Sequence, residues 1–251
     1  MKHIQLENLA KATGGKCLQI SAHQFLGFGT DTRKDLSGKI FIALKGEAFD
    51  GHDYLVQAVK AGAQCLLVHR FPEVVPVELS QVTVVHVADT LFALQSLGSW
   101  FRHQSKAKVL GITGSNGKTS TKEFTAQIIE TKKKVHWSQG SFNNHWGVPF
   151  SLMDLESQHE VAVIEMGMNH AGEIKRLVEI ADPDVVVCTM VGRAHIEFFG
   201  TQEKIAQAKQ EIYLHSRNDS LAIFNLDNKF TRQMWEQDKL ANPSRPRLIF
   251  S

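Results

Sequence analysis

Cysteine is scarce in this sequence. There are three in 251 residues, Cys17, Cys65 and Cys188. No two stand at the spacing of a thiolate metal site. Cys65 and Cys188 fall inside apolar runs, which predicts buried free thiols in a reducing compartment. An excess of one charge is also missing. Lys and Arg number 28 against 26 Asp and Glu, a formal net charge of +2. Such a balance lacks the basic field that nucleic-acid binding demands. The one tight basic run, Lys132-Lys133-Lys134, closes a helical pattern, where cations suit the helix dipole. Long hydrophobic runs are absent as well. The N-terminus has no apolar core of signal-peptide length, and no segment reaches bilayer-spanning length, which predicts a cytoplasmic protein without a membrane span. Neither an internal repeat nor a low-complexity segment occurs. What remains is an ordinary composition, 43% hydrophobic and 22% charged, at a length for one large domain or two ordinary ones.

The stretch with most content is Gly111-Ile112-Thr113-Gly114-Ser115-Asn116-Gly117-Lys118-Thr119-Ser120. A short apolar run, Val109-Leu110, precedes it, and a helical pattern through Glu130 follows. Strand, glycine-rich turn, Gly-Lys-Thr and helix form the layout of a phosphate-binding loop. Glycines let the backbone curl so that its N–H groups face a polyphosphate, and the helix N-terminus adds partial positive charge. In that layout Lys118 reaches the β- and γ-phosphates and the Thr119 hydroxyl holds Mg²⁺. Five residues separate Gly111 from Gly117, where the usual pattern has four.

Residues 1–104 predict one small α/β domain, with three short apolar strands (Ile40–Leu44, Cys65–Val68 and Val82–Val87) and a helix over Thr90–Gln104. His103 to Lys108 is polar and suits a linker. From 105 to 251, apolar strands ending at Glu165, Met190 and Phe224 alternate with helical patterns over Glu173–Ile180 and Gln202–Leu214. Continuous apolar strands with helical crossovers predict a parallel sheet covered on both faces. Ligands of such sheets sit at the C-terminal strand ends. The loop, Glu165 and the turn Gly192–His195 all fall there. The tail stops just as a new strand begins.

Several residues suit chemistry on their own pattern. Glu165 ends an apolar strand opposite the phosphate loop, the usual place for a Mg²⁺-holding acid; a capping or salt-bridged acid fits the same position. His195, in its loop, suits a metal or a substrate phosphate, or simply a loop. Lys209 borders the stripe Ile205, Ala208 and Ile212. Burial there favours the neutral amine, which reacts with CO₂ to give a carbamate and so an anionic oxygen ligand for Mg²⁺; a lysine that snorkels to water fits the same spacing. Thr30-Asp31-Thr32-Arg33, Lys45-Gly46 and Asp50-Gly51-His52 crowd charges around a strand and two glycine turns, which suits a nucleotide or diphosphate as well as plain surface turns. Ser141 to Pro149, with Asn143 and Asn144, is a polar loop whose amides suit substrate or phosphate contacts, or a structural turn.

Taken together these motifs resemble the Mur ligase family, nearest the branch that adds D-alanyl-D-alanine to UDP-N-acetylmuramoyl-tripeptide. The family form Gly-x-x-Gly-[Ser/Thr]-x-Gly-Lys-[Ser/Thr] accounts for the five-residue gap. Phe142-Asn143-Asn144-His145-Trp146-Gly147-Val148-Pro149, Glu165-Met166-Gly167-Met168-Asn169-His170, Ala194-His195-Ile196-Glu197 and Ala208-Lys209-Gln210-Glu211-Ile212 look like this branch. The resemblance implies a UDP-binding N-terminal domain followed by a P-loop ATPase-type domain. It implies that Gly114, Ser115, Asn116, Gly117, Lys118, Thr119 and Ser120 serve ATP, and that Asn225 lies near the adenine. Thr119, Glu165, His195 and Lys209 would serve Mg²⁺, with Lys209 carbamylated. Lys118, Lys209 and His195 would act in catalysis. Thr32, Arg33, Lys45, Asp50, Gly51, His52, Asn143 and Asn144 would meet the UDP-peptide. The implied reaction is ATP-dependent amide formation through an acyl phosphate.

The sequence departs from the family pattern in three ways. Thr32 replaces a usual Ser, keeping the hydroxyl. Met190 stands where the branch carries Asn. The chain also stops before the family's third domain, which binds the incoming amine. That leaves a ligase whose C-terminal domain is missing or lies on a second chain, or a non-ligating homologue that binds UDP-muramoyl-peptide or nucleotide as a sensor or partner.

Overall fold

The computed structural model describes residues 3–251. These fall into two compact units, residues 1–97 and 98–251, and the division lies inside one helix.

The first unit contains β1 (Ile4–Gln5), α1 (Leu6–Thr13), β2 (Lys16–Gln19), β3 (Gln24–Phe25), β4 (Phe28–Gly29) and β5 (Ile40–Ile42). A 3₁₀ turn (Gly51–Tyr54), α2 (Leu55–Lys60), β6 (Cys65–Val68), β7 (Thr83–His86) and the start of α3 (Thr90–Gln104) complete it. Its main sheet has the order β2-β7-β6-β5-β4. All its pairings are parallel except that of β2 with β7. Ile40, Phe41, Ile42 and every residue of β6 are buried, as continuous apolar strands require. Phe41, Leu66 and Val84 face α2 and pack on Leu55 and Ala58.

The second unit runs β8 (Lys108–Thr113), α4 (Lys118–Glu130), β9 (Val135–Trp137), α5 (Gly147–Met153), β10 (Val161–Glu165) and α6 (Glu173–Ala181). It continues through β11 (Val185–Cys188), α7 (Ile196–Phe199), α8 (Gln202–Leu214), β12 (Leu221–Asn225), α9 (Lys229–Ala241) and β13 (Arg247–Phe250). The strands form one parallel sheet, ordered β13-β12-β11-β8-β10-β9. Alternate residues serve its two faces. Ala162 and Ile164 join Val186, Phe224 and the residues of α5, α6, α8 and α9 in the larger core. Val163 and Val187 face the other way, with Ile112 and with Ala126 of α4. β10 and β11 flank β8, so the chain reverses its direction of travel across the sheet there, and the crevice at the C-terminal ends opens beside the phosphate loop.

Several elements differ from the sequence-based expectation. Gly147, Val148 and Pro149 begin a helix rather than extend a loop. Asn144 Oδ1 accepts the Trp146 and Gly147 N–H groups and caps that helix, and Pro149 sits in its first turn, where no N–H partner is needed. Strand β9 and helix α9 were not expected from the sequence. Among the described residues no helix is long and apolar enough to cross a membrane. Cys65 and Cys188 are buried and unpaired, while Cys17 is exposed.

Candidate functional site

In the second unit the C-terminal ends of β8, β10, β11 and β12 lie along one edge of the sheet. β8 leads into the loop, whose turn is made by Gly114 (φ +150°) and Gly117 (φ +80°). A Cβ on Gly114 would overlap Thr189 Oγ1, so only glycine fits. The turn after β11 supports the loop. Ser115 N–H donates to Met190 O at 2.8 Å, and Thr189 Oγ1 donates to Asn116 O at 2.6 Å. Met190, one of the departures from the family pattern, therefore buttresses the loop through its backbone. In α4 the first N–H to pair outward is that of Thr121, which donates to Gly117 O at 2.9 Å. Among the described residues the N–H groups of Gly117, Lys118, Thr119 and Ser120 make no hydrogen bond within the chain. Those donors, with the helix dipole behind them, form an anion cradle. Lys118 Nζ folds back onto Gly114 O at 2.8 Å.

Glu165 is 2% exposed at the end of β10. Thr119 Oγ1 donates to its Oε2 at 2.9 Å, and Asn143 Nδ2 donates to its Oε1 at 2.8 Å. The Glu165 N–H donates to Ser138 Oγ at 3.2 Å. A hydroxyl and a carboxylate at the mouth of an anion cradle are hard oxygen donors. They fit a magnesium ion that takes its remaining ligands from phosphate and water. Among the described residues no group of three His, Cys, Asp or Glu side chains could hold an ion by itself. The donor set thus suits a metal shared with a nucleotide.

Lys209 is 1% exposed, on the inner face of α8. It does not snorkel, and no hydrogen bond or ion pair meets its amine among the described residues. Burial brings its pKa down to about 8, and the nearby positive charge of Lys118 acts in the same direction. His195 is likewise held below its usual value, first by burial and then by Lys209 and Lys118. Its backbone is left-handed (φ +66°), a strained conformation for a residue with a side chain and one that gathers at functional sites. Asn225, at the end of β12, spends its side chain internally. It donates to Thr189 O at 2.8 Å and accepts from the Asp227 N–H at 2.9 Å.

In the first unit a cavity of about 470 Å³ is lined by Thr30, Asp31, Thr32, Arg33, Phe41, Phe49, Gly51 and Tyr54. Its polar groups are preset. Arg33 grips both Asp31 oxygens, at 2.8 and 2.9 Å, and this bond holds the carboxyl at about 2. Three aromatic rings and a solvent-exposed guanidinium, already oriented by Asp31, suit a base and a diphosphate. Gly51 lets the turn close on the β5 end; a Cβ there would press on Leu44 O and Ala43. Asp50, His52 and Lys45 do not line this cavity. The His52 ring points inward, donating from Nδ1 to Asp50 at 2.6 Å and accepting the His69 N–H at Nε2. Burial lowers its pKa, against the opposing pull of Asp50, so it is a neutral structural brace. Lys45 is joined to Asp50 by an isolated bridge.

Family models match both units. The Mur ligase middle domain covers residues 112–244, and the Mur ligase family catalytic domain covers residues 25–99. The chain belongs to the Mur ligase family. Among curated Mur ligases it is 39% identical over 221 residues to the UDP-N-acetylmuramoyl-tripeptide–D-alanyl-D-alanine ligase of Bacillus subtilis, covering 87% of this chain and 48% of that one. A crystal structure of MurF from Acinetobacter baumannii superposes with a TM-score of 0.91 at 35% identity, over 100% of this chain and 54% of that one. MurF from Thermotoga maritima in complex with ADP gives a TM-score of 0.75 at 31% identity, over 89% and 49%. The chain spans about half the length of the curated Mur ligases it matches. Sequence motifs had already marked Thr119, Glu165 and Asn143 as site residues, and the structure brings these three together. Ser138, which accepts the Glu165 N–H, and Lys122, which donates to Ser138 O, carried no sequence signal.

Proposed function

We propose that this chain carries the ATP-using chemistry of an amide ligase that joins D-alanyl-D-alanine to UDP-N-acetylmuramoyl-tripeptide in cytoplasmic peptidoglycan precursor synthesis. The single observation behind this reading is the Thr119–Glu165 pair, set at the mouth of an unpaired N–H cradle. Residues 105–251 serve ATP and Mg²⁺, and residues 1–104 take the UDP end of the acceptor.

The loop N–H groups and Lys118 bind the phosphates of ATP, with Gly114, Ser115, Asn116 and Gly117 shaping the turn. Thr119 and Glu165 would hold magnesium, which would supply charge neutralisation to the phosphate oxygens. The acceptor carboxylate attacks the γ-phosphorus, ADP leaves, and an acyl phosphate forms. The dipeptide amine then adds to the acyl carbon, and inorganic phosphate departs. Positioning and charge neutralisation supply the acceleration. The unprotonated fraction of Lys209, kept appreciable by a pKa of about 8, adds to CO₂ and loses a proton, so a residue that is otherwise a buried cation becomes an anionic oxygen donor. His195, itself neutral, stands beside it as a further donor to metal or phosphate. Arg33 and the Thr32 hydroxyl serve the diphosphate of the acceptor.

Phosphate release from ATP, measured with UDP-N-acetylmuramoyl-tripeptide with and without D-alanyl-D-alanine, tests the reading. Release that depends on the dipeptide is expected. Saturable UDP-peptide binding without release would make the chain a binding module of the same ancestry. Neither binding nor release would overturn the assignment.

A further inference from the structure

Helix α4 buries its lysine and exposes its large apolar residues. Lys122 is wholly inaccessible, while Phe124 and Ile128 face solvent. A buried ammonium is costly unless each donor is used. Here all three are. Nζ donates to Ser138 O at 2.7 Å and to Gly140 O at 2.9 Å, and pairs with Glu123 Oε1 at 3.0 Å. The gripped carbonyls belong to the irregular segment between β9 and α5. That segment also presents Ser138 Oγ to the Glu165 N–H and Asn143 Nδ2 to the Glu165 carboxylate. Its far end is fixed by the Gly167 N–H on Asn143 O at 2.7 Å, where a Cβ on Gly167 would strike the Asn143 amide. The near end is fixed by Lys122. Thr119 lies three residues before Lys122, on the same side of the helix. One turn of α4 therefore delivers both the hydroxyl on Glu165 Oε2 and the clamp on the segment that fixes Oε1.

We propose that Lys122 is a positioning residue of the magnesium–nucleotide site, holding Glu165 in its coordinating orientation through Ser138 and Asn143. The inference rests on the nucleotide-binding reading above. It extends that reading to a lysine that touches neither phosphate nor metal.

The test is binding of a fluorescent N-methylanthraniloyl-ADP to the 251-residue chain, titrated with Mg²⁺ and repeated in EDTA. Lys122→Met, Asn143→Ala and the double variant are compared with the parent. Lys122→Met is expected to raise the half-saturating Mg²⁺ concentration about tenfold, as loss of an outer partner of a metal ligand does, with little change in EDTA. The double variant is expected to fall clearly short of the sum of the two single effects, because both changes act on the one segment that fixes Glu165. Lys122→Gln keeps two donors on a shorter stem. It gives the same comparison, with a smaller shift, if the methionine variant does not fold. An unmoved Mg²⁺ midpoint, or additive effects in the double variant, would overturn the proposal while leaving the nucleotide reading intact. A parent chain that binds no nucleotide overturns both.

Discussion

Replacing Lys209 should stabilise the protein while removing its activity. The amine is 1% exposed and unpaired, and its pKa stands at about 8 instead of 10.5. That difference is worth about 3 kcal/mol against the charged form. The sign follows from proton binding. Between pH 8 and 10.5 the unfolded chain holds the proton and the folded chain does not, so stability rises with pH across this window. Below pH 8 the full penalty is present. Lys209→Met removes it. At pH 7, in CO₂-free buffer, the variant should be about 1–3 kcal/mol more stable, the lower figure allowing for imperfect packing of methionine. For a unit of this size that is a Tm increase of roughly 2–10 °C. The advantage should shrink toward zero by pH 10. Cys188, the neighbouring thiol, is pushed by burial up to about 11 and stays neutral through the window. Denaturant melts of both proteins at several pH values give the difference directly. ¹³C-bicarbonate at pH 8 should add a carbamate signal in the parent alone. A variant less stable than the parent at pH 7, or a gap that does not change with pH, would refute the reasoning.

Three other perturbations bear on the same architecture. Gly114→Ala should abolish nucleotide binding, since its Cβ would overlap Thr189 Oγ1 at a φ that L side chains avoid; calorimetric titration with ADP and Mg²⁺ measures it, and normal affinity would count against the loop assignment. Tyr213→Phe should cost about 1–3 kcal/mol in urea unfolding, because the buried hydroxyl accepts the Cys188 N–H at 2.9 Å and donates to Ile223 O at 2.7 Å. Arg33→Ala should weaken UDP binding at least tenfold and let Asp31 titrate nearer its ordinary value, above about 2; NMR titration of the Asp31 carboxyl and a UDP isotherm read the two effects separately.

Elements carried by a strong pattern were legible in the sequence. Cys65–Val68, Thr90–Gln104 and Gln202–Leu214 have the bounds that their apolar runs and periodicity suggest. So does the strand ending at Glu165, and with it the position of that acid across from the loop. Helix α9 was missed because its buried stripe is narrow: Phe230 and Met234 are the only large apolar residues it buries, among many charged neighbours. The loop-like Gly147–Pro149 became helical through the Asn144 cap three residues ahead of Gly147; Asn, Gly and Pro signal a turn as readily as a helix start, so the local pattern reads equally well as a turn. His52 looked like a ligand group because a turn histidine ordinarily faces out. Its partner, the His69 N–H, is distant in sequence and is supplied only by the β5–β6 pairing. Lys122 gave no hint, since a lysine in a polar helix is normally solvated, and here the apolar Phe124 and Ile128 would have pointed to the opposite face.

The grip of Lys122 falls on two main-chain oxygens, and oxygens of this kind are the same whatever side chain the residue carries. The segment between β9 and α5 is therefore recognised by the path of its backbone. Gln139 and Ser141, both exposed beside the gripped positions, are free to vary without loosening it. Gly140 is less free, because its left-handed φ of +52° turns its carbonyl toward the lysine. Among related chains, variation should thus run freely through the tip of this segment and stop at Gly140, at Asn143 and at the lysine itself.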